Sequence, residues 1–138
     1  MVGAYVLLGT LGIHSIEDIR DKKITVTITL FSGILGILLH LLFPDKSIFE
    51  ILFGMLPGVG ILLLGWLTGG KIGMGDGMMF MLTGLYLGVV QNLLLMLLSF
   101  SLAGFYGGCL FILRRCKKSD RLPFVPFLFL GYLFMLMK

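Results

Sequence analysis

Seven carboxylate side chains in a chain of 138 residues are the groups best suited to acid–base chemistry. Most need no special role, because they lie in polar breaks or near the start of an apolar run: Asp21, Asp45, Glu50 and Asp120. Asp18 and Asp76 differ, because each lies where a long apolar run meets a polar segment. Asp18 closes the first apolar run, and Asp76 follows the glycine-rich segment 68–75. These two carboxylates are therefore a candidate catalytic pair.

Two carboxylates that approach closely can activate water for attack on a peptide carbonyl. Like charges at short distance disfavour ionisation of both groups, so that one carboxylate acts as base while its protonated partner polarises the carbonyl. Such a pair needs neither a metal nor an organic cofactor, and we expect none. The residues alone leave a second reading open, in which Asp18 and Asp76 are interfacial charges that never meet.

The elements that would carry this pair are predicted to be membrane-spanning helices. Hydrophobic residues make up 58% of the chain and charged residues 13%, and the mean hydropathy is +1.07. A bilayer-spanning helix needs about 20 mostly apolar residues. The sequence predicts an all-α membrane protein with a single integral-membrane domain over 1–138, a polytopic bundle of about six transmembrane helices. The predicted spans are 2–19, 24–43, 47–67, 76–88, 93–113 and 122–137.

The basic residues predict the orientation of these spans. Nine of the eleven fall in the first, third and fifth loops, at Arg20, Lys22, Lys23, Lys71, Arg114, Arg115, Lys117, Lys118 and Arg121. Cytoplasmic loops of membrane proteins are enriched in Lys and Arg. We expect a multi-pass protein of the inner (cytoplasmic) membrane with both termini outside. Asp18 and Asp76 then both lie at the cytosolic face.

The same pattern argues against other classes of protein. The net charge of +4 follows from loops between apolar runs, so we expect a lipid bilayer and no nucleic acid as partner. Cys109 and Cys116 are too far apart for a C-x-x-C pair, and we read Cys116 as a reduced cytosolic thiol. The small-residue pairs Gly84–Gly88 and Ser99–Ala103–Gly107 are typical of helix packing.

Three motifs in order resemble the type IV prepilin peptidases, which are G-x-G-D aspartic peptidases of the inner membrane. The segment 17–24 (EDIRDKKI) is similar to the family's first motif, in which an aspartate is followed by basic residues and an isoleucine. Gly73–Asp76 matches the G-x-G-D motif, and 121–127 (RLPFVPF) is similar to the family's entry into its last span. Together the motifs cover almost the whole chain.

The resemblance implies a function and a set of site residues. Asp18 and Asp76 would be the catalytic dyad of a membrane aspartic endopeptidase, and Gly73 and Gly75 would shape the site and bind substrate. The substrate would be a type IV prepilin-like precursor, cleaved after the glycine of its short basic leader at the cytosolic face.

Two departures from the family pattern bear on this expectation. The family usually has Ile-Pro-Asn where this chain has Ile24-Thr25-Val26. The chain also has no cytosolic insert with paired C-x-x-C motifs, so we expect a minimal peptidase without methyltransferase activity. A specialised or inactive relative stays open, as does a small transporter or non-enzymatic assembly subunit whose aspartates bind a cation or proton. The oligomeric state is not predicted.

Two further polar residues have a functional and a simpler interpretation. His14 lies one helical turn before Asp18 and could bond to it, although an interfacial histidine accounts for the position as well. Lys71 could attract an acidic group of the substrate or anchor the loop at the cytosolic face.

Overall fold

The fold is an all-helical bundle without strands among the residues described here, which are 1–115, 117 and 121–138 of a computed structural model. Our interpretations of Cys116, Lys118 and Asp120 therefore lie outside the described residues. The six helices are α1 (Val2–Asp21), α2 (Val26–Leu42), α3 (Ile48–Leu67), α4 (Met74–Leu87), α5 (Val89–Ile112) and α6 (Val125–Leu136).

The predicted helix boundaries are close to those observed except at the start of α5. The prediction placed Gln91 and Asn92 between two spans, whereas the helix begins at Val89, directly after Gly88. Gly88 has φ 78°, a backbone conformation that glycine adopts readily, and it ends α4. One glycine thus separates the two helices, and α5 folds back along α4 so that Phe80 and Phe100 come into ring contact at 5.7 Å.

Glycines let α3 and α4 pack with their backbones nearly touching. A Cβ atom placed on Gly84 would collide with the backbone of Gly54, and one placed on Gly58 would collide with the backbone of Met81. Small residues permit such close approach between membrane helices. Of the two predicted packing motifs, Gly84 contacts α3, while Ser99 faces α6 at Gly131.

A buried asparagine joins α3, α4 and α5 at this interface. The Asn92 amide nitrogen donates to the carbonyls of Gly54 (2.7 Å) and Phe80 (3.1 Å), and its oxygen accepts from the Thr83 hydroxyl (2.6 Å). The side chain is fully buried. An amide that is buried at this depth needs such partners, since an unpaired one is costly. This is why Asn92, a polar residue that the sequence pattern places between two helices, lies inside α5.

The helices alternate in direction, so that their ends gather into two groups. One end, which we call the Asp end, holds the ends of the helices around Asp18, Ile24, Gly73 and Phe124, all of which line one cavity. The opposite end, the termini end, holds Val2, His40, Leu87 and Leu136 around a second cavity. Both chain termini are therefore on the same side of the bundle, as an even number of alternating helices requires.

Two of the described helices, α3 and α5, are both long and apolar enough to cross a membrane. The apolar helices α2 and α6 are shorter, and α4 has only 14 residues. At 1.5 Å per residue, a helix of 14 residues is about 21 Å long, less than the roughly 30 Å hydrocarbon core of a bilayer. The six helices are thus confirmed, and their being six membrane spans stays a prediction.

Candidate active site

Asp18 lies in the last turn of α1, where its side chain reaches the start of α6. The Asp18 Oδ2 atom accepts a hydrogen bond from the backbone N–H of Val125 at 3.0 Å. Val125 is the first residue of α6, and Pro126 follows it. The first N–H groups of a helix have no partner within the helix, and a carboxylate there is also favoured by the helix dipole. Asp18 therefore holds the N-terminus of α6 at the Asp end.

Asp76 lies in the first turn of α4, and its side chain folds back over Gly73. A Cβ atom on Gly73 would overlap the Asp76 carboxylate, and it would lie 3.0 Å from Cγ. Gly73 is the residue that precedes the first turn of α4. The first glycine of the G-x-G-D motif is thus needed for space beside the aspartate.

The second glycine of the motif leaves space for a different part of the chain. A Cβ atom on Gly75 would lie 2.8 Å from Cδ1 of Ile24 in the segment that joins α1 to α2. The two glycines of the motif thus leave space for two side chains, those of Asp76 and Ile24.

One cavity of about 580 Å³ brings the four predicted site residues together. Asp18, Gly73, Gly75 and Asp76 all line it. Asp18 and Asp76 interact electrostatically, although they are carried by helices that are far apart in the sequence. The two carboxylates therefore line the same cavity, which the first of the two sequence readings requires. Their action as a dyad stays a prediction.

Basic side chains surround the two carboxylates. Lys22, Lys23 and Lys71 line the same cavity. Arg121 lines it as well, interacts electrostatically with Asp76, and donates to the carbonyl of Gly70 at 3.2 Å. We predicted Arg121 as an orienting charge and as the first residue of the motif 121–127, without a role at the site. Its place in that motif was the signal that it belongs near the site.

His14 does not bond to Asp18, so one of its two predicted interpretations is wrong. Its ring is fully buried and bonds to Glu17 and Thr29 instead. On a helix, a residue at position i reaches both i+3 and i+4, and here the i+3 partner Glu17 is the one that turns toward it. Our prediction from the sequence gave no role to Glu17, although it directly precedes Asp18 in the first motif.

The described residues offer no ready metal site. Within 1–115, 117 and 121–138, no group of three or more His, Cys, Asp or Glu side chains is placed to hold a metal ion. The polar atoms at the Asp end are instead two carboxylates, four basic side chains and the backbone N–H that bonds to Asp18. Such groups can bind and polarise a peptide and move protons.

A comparison with protein families covers most of the chain, since residues 5–108 match the type IV leader peptidase family. The chain belongs to the type IV leader peptidase family. No curated protein and no solved structure matches it significantly. The recognition made from its motifs is therefore confirmed.

Membership of the family assigns a peptidase class to the chain and fits a membrane location. Two apolar helices of spanning length point the same way. The matched region contains Asp18 and the whole of Gly73–Asp76, whereas α6 and its contact with Asp18 lie beyond it. The α6 contact is therefore a feature read from this structure alone.

Proposed function

We propose that this member of the type IV leader peptidase family is a membrane aspartic endopeptidase that removes the leader peptide from type IV prepilin-like precursors. Asp18 and Asp76 act together on a water molecule at the Asp end, without metal or organic cofactor. The observation that carries the proposal is that both carboxylates line one cavity at the basic end of the helical bundle.

In the proposed reaction, one aspartate acts as the base and the other as the acid. One carboxylate takes a proton from the attacking water, and the other donates a proton to the carbonyl oxygen of the scissile bond. As the tetrahedral intermediate collapses, the first carboxyl group gives the proton taken from water to the leaving amine, and the second takes a proton back from a hydroxyl of the intermediate. Arg121, which interacts electrostatically with Asp76, offsets the negative charge of the pair. The protons of such a pair titrate together, so the acid and base roles belong to the dyad.

The location of the aspartates favours a peptidase over a transporter. Ion-binding carboxylates of transporters lie near the bilayer midplane. Asp18 lies in the last turn of α1 and Asp76 in the first turn of α4, at the end of the bundle. We propose that this end faces the cytosol, where a basic leader is presented, and that both termini face outward across the inner membrane.

The decisive experiment is leader removal from candidate prepilins by the purified protein in lipid. We expect Asp18→Asn and Asp76→Asn each to abolish cleavage while the protein stays folded in membranes. Asp21→Asn is the matched control, because Asp21 closes the same helix without lining the cavity. Full cleavage by either dyad variant contradicts the assignment.

The pH dependence of cleavage is a second test of the dyad. A coupled pair predicts a bell-shaped dependence of kcat/KM on pH, with two ionisations that belong to the pair. A rate that stays flat through the acidic range counts against water activation by two carboxylates.

The orientation is tested separately by labelling single cysteines in intact cells with a membrane-impermeant maleimide. Lys46→Cys at the termini end should react from outside, and Lys71→Cys at the Asp end should react only after the cells are opened. The reverse pattern would place the dyad outside the cytosol.

A further inference from the structure

We propose that Glu17 is a positioning residue, which clamps the segment between α1 and α2 and thereby holds the cavity wall against the G-x-G-D turn. The inference rests on the proposed peptidase function and goes beyond its two aspartates. Glu17 does not line the cavity itself, so it acts through the residues that follow it.

The Glu17 carboxylate makes three hydrogen bonds, two of which reach across to the start of α2. Its Oε1 atom accepts from the Thr25 hydroxyl at 2.6 Å, and its Oε2 atom accepts from the Thr25 backbone N–H at 3.2 Å. The third bond joins Oε2 to Nδ1 of His14 at 2.8 Å. Hydrogen bonds to a charged carboxylate are stronger than those between neutral groups. The two ends of the 22–24 segment are thus tied to each other.

His14 supports the clamp from the interior of the bundle. An ionised carboxylate can only accept, so Nδ1 of His14 carries the proton in its bond to Glu17. The other ring nitrogen, Nε2, lies 3.1 Å from the hydroxyl of Thr29, which also lies 3.3 Å from the carbonyl of Thr25. Glu17, His14, Thr29 and Thr25 therefore form a closed ring of contacts between α1 and α2.

The Thr25 side chain is used for this clamp and not for an ordinary helix cap. Thr25 is the N-cap residue of α2, but its side chain makes no capping hydrogen bond to the helix. Threonine at this position commonly accepts from a backbone N–H in the first turn. Here its hydroxyl donates to Glu17 instead. A proline at this position would supply neither the hydroxyl nor the N–H.

The clamped segment forms one wall of the cavity. Lys22, Lys23 and Ile24 all line it, and Lys22 has the left-handed backbone conformation that turns the chain at the end of α1. Ile24 packs directly onto Gly75, the residue before Asp76. A path of contacts thus runs from Glu17 through Thr25 and Ile24 to the G-x-G-D turn. Loosening the clamp frees this wall without changing either aspartate.

The test compares variants of the two clamp residues in the full-length protein in lipid. Thr25→Val keeps the N–H and the shape but removes the hydroxyl, and Glu17→Gln removes the charge. We expect each to lower kcat about tenfold, a rate ratio equivalent to about 1.4 kcal/mol, with KM changed less than about twofold. Thr25→Ser keeps both donors, the hydroxyl and the N–H, and should retain the kcat of wild type. Thr27→Val, two residues along the same helix at an exposed position, is the matched control.

A second readout separates the clamp from the peptidase activity. In a background with Cys109→Ser and Cys116→Ser, Ile24→Cys reports on the packing of the wall through its rate of maleimide labelling. Thr25→Val and Glu17→Gln should raise that rate severalfold, while Thr25→Ser and Thr27→Val should not. Labelling is measured on protein that retains its wild-type thermal unfolding midpoint, so that global unfolding does not contribute.

Each outcome of the two readouts decides the proposal. Faster labelling together with a lower kcat in Thr25→Val and Glu17→Gln, with neither change in Thr25→Ser, supports the proposal. Unchanged labelling overturns it, and so does faster labelling with an unchanged kcat. If neither wild type nor Asp76→Asn cleaves any candidate prepilin, the proposed function has failed. The labelling rate alone then decides whether Glu17 clamps the wall.

Discussion

The Asp18 carboxylate and the backbone N–H of Val125 are joined by a hydrogen bond of 3.0 Å between residues 107 positions apart in the sequence. The bond ties the last turn of α1 to the first turn of α6 at the rim of the cavity that also holds Asp76. The same oxygen cannot be fully available for catalysis and for helix docking at once. Asp18 thus has a structural role that can be separated from its proposed chemical one.

Substitution of Asp18 should separate these two roles. Asp18→Asn keeps an oxygen that can accept from Val125, so its unfolding midpoint should stay close to that of wild type while cleavage is lost. Asp18→Ala removes the acceptor as well and should lower the free energy of unfolding by about 1–3 kcal/mol. Thermal unfolding in detergent or lipid measures the difference. Equal stability of the two variants would show that the Val125 bond contributes nothing.

An alanine at Gly73 should affect activity more than stability. Its Cβ would occupy the space of the Asp76 carboxylate, which must then turn away from its present place in the cavity. We expect leader cleavage to fall by about two orders of magnitude, the scale of a misplaced general acid or base. Gly104→Ala is the control, because nothing lies near a Cβ at that position. Normal cleavage by Gly73→Ala would mean that Asp76 does not work from this conformation.

An alanine at Gly84 should destabilise the bundle itself. Its Cβ would meet the backbone of Gly54, which cannot move aside as the end of a side chain can. We expect a loss of about 1–3 kcal/mol in the free energy of unfolding, as for other overpacked sites. Gly60→Ala on the facing helix α3 has open space around its Cβ and should be neutral or slightly stabilising. A neutral Gly84→Ala would show that α3 and α4 do not pack this closely.

Removal of the Asn92 amide should be among the costlier changes in the protein. Asn92→Ala leaves the Thr83 hydroxyl and the Gly54 carbonyl without this partner inside the bundle. Buried polar groups that are left unsatisfied cost about 1–3 kcal/mol each. We therefore expect the free energy of unfolding to fall by an amount within or above that range, as measured by thermal unfolding. Gln91→Ala, at the exposed neighbouring position, should have little effect. Similar midpoints for the two variants contradict the buried network.

Much of the helical arrangement and of the candidate site was predictable from local pattern. Apolar runs and their polar breaks gave six helices and placed five of the six starts within three residues. The exception, the start of α5, depended on Asn92 finding partners on two other helices, which hydropathy does not encode. The grouping of Asp18 with Asp76 followed from counting alternating helices. Whether all six helices span a bilayer stays a prediction, because α4 and α6 are short.

The sequence by itself therefore determined the helical class, the family and the two aspartates at one end of the chain's alternating helices. These depend on composition, on hydropathy along the chain and on short motifs, all of which are local. Only the tertiary structure decided that Asp18 bonds to Val125, that His14 bonds to Thr29, and that Ile24 packs onto Gly75. Those pairings join residues on different turns or helices, and a side chain's partner is set by how the helices pack, not by its neighbours in the chain.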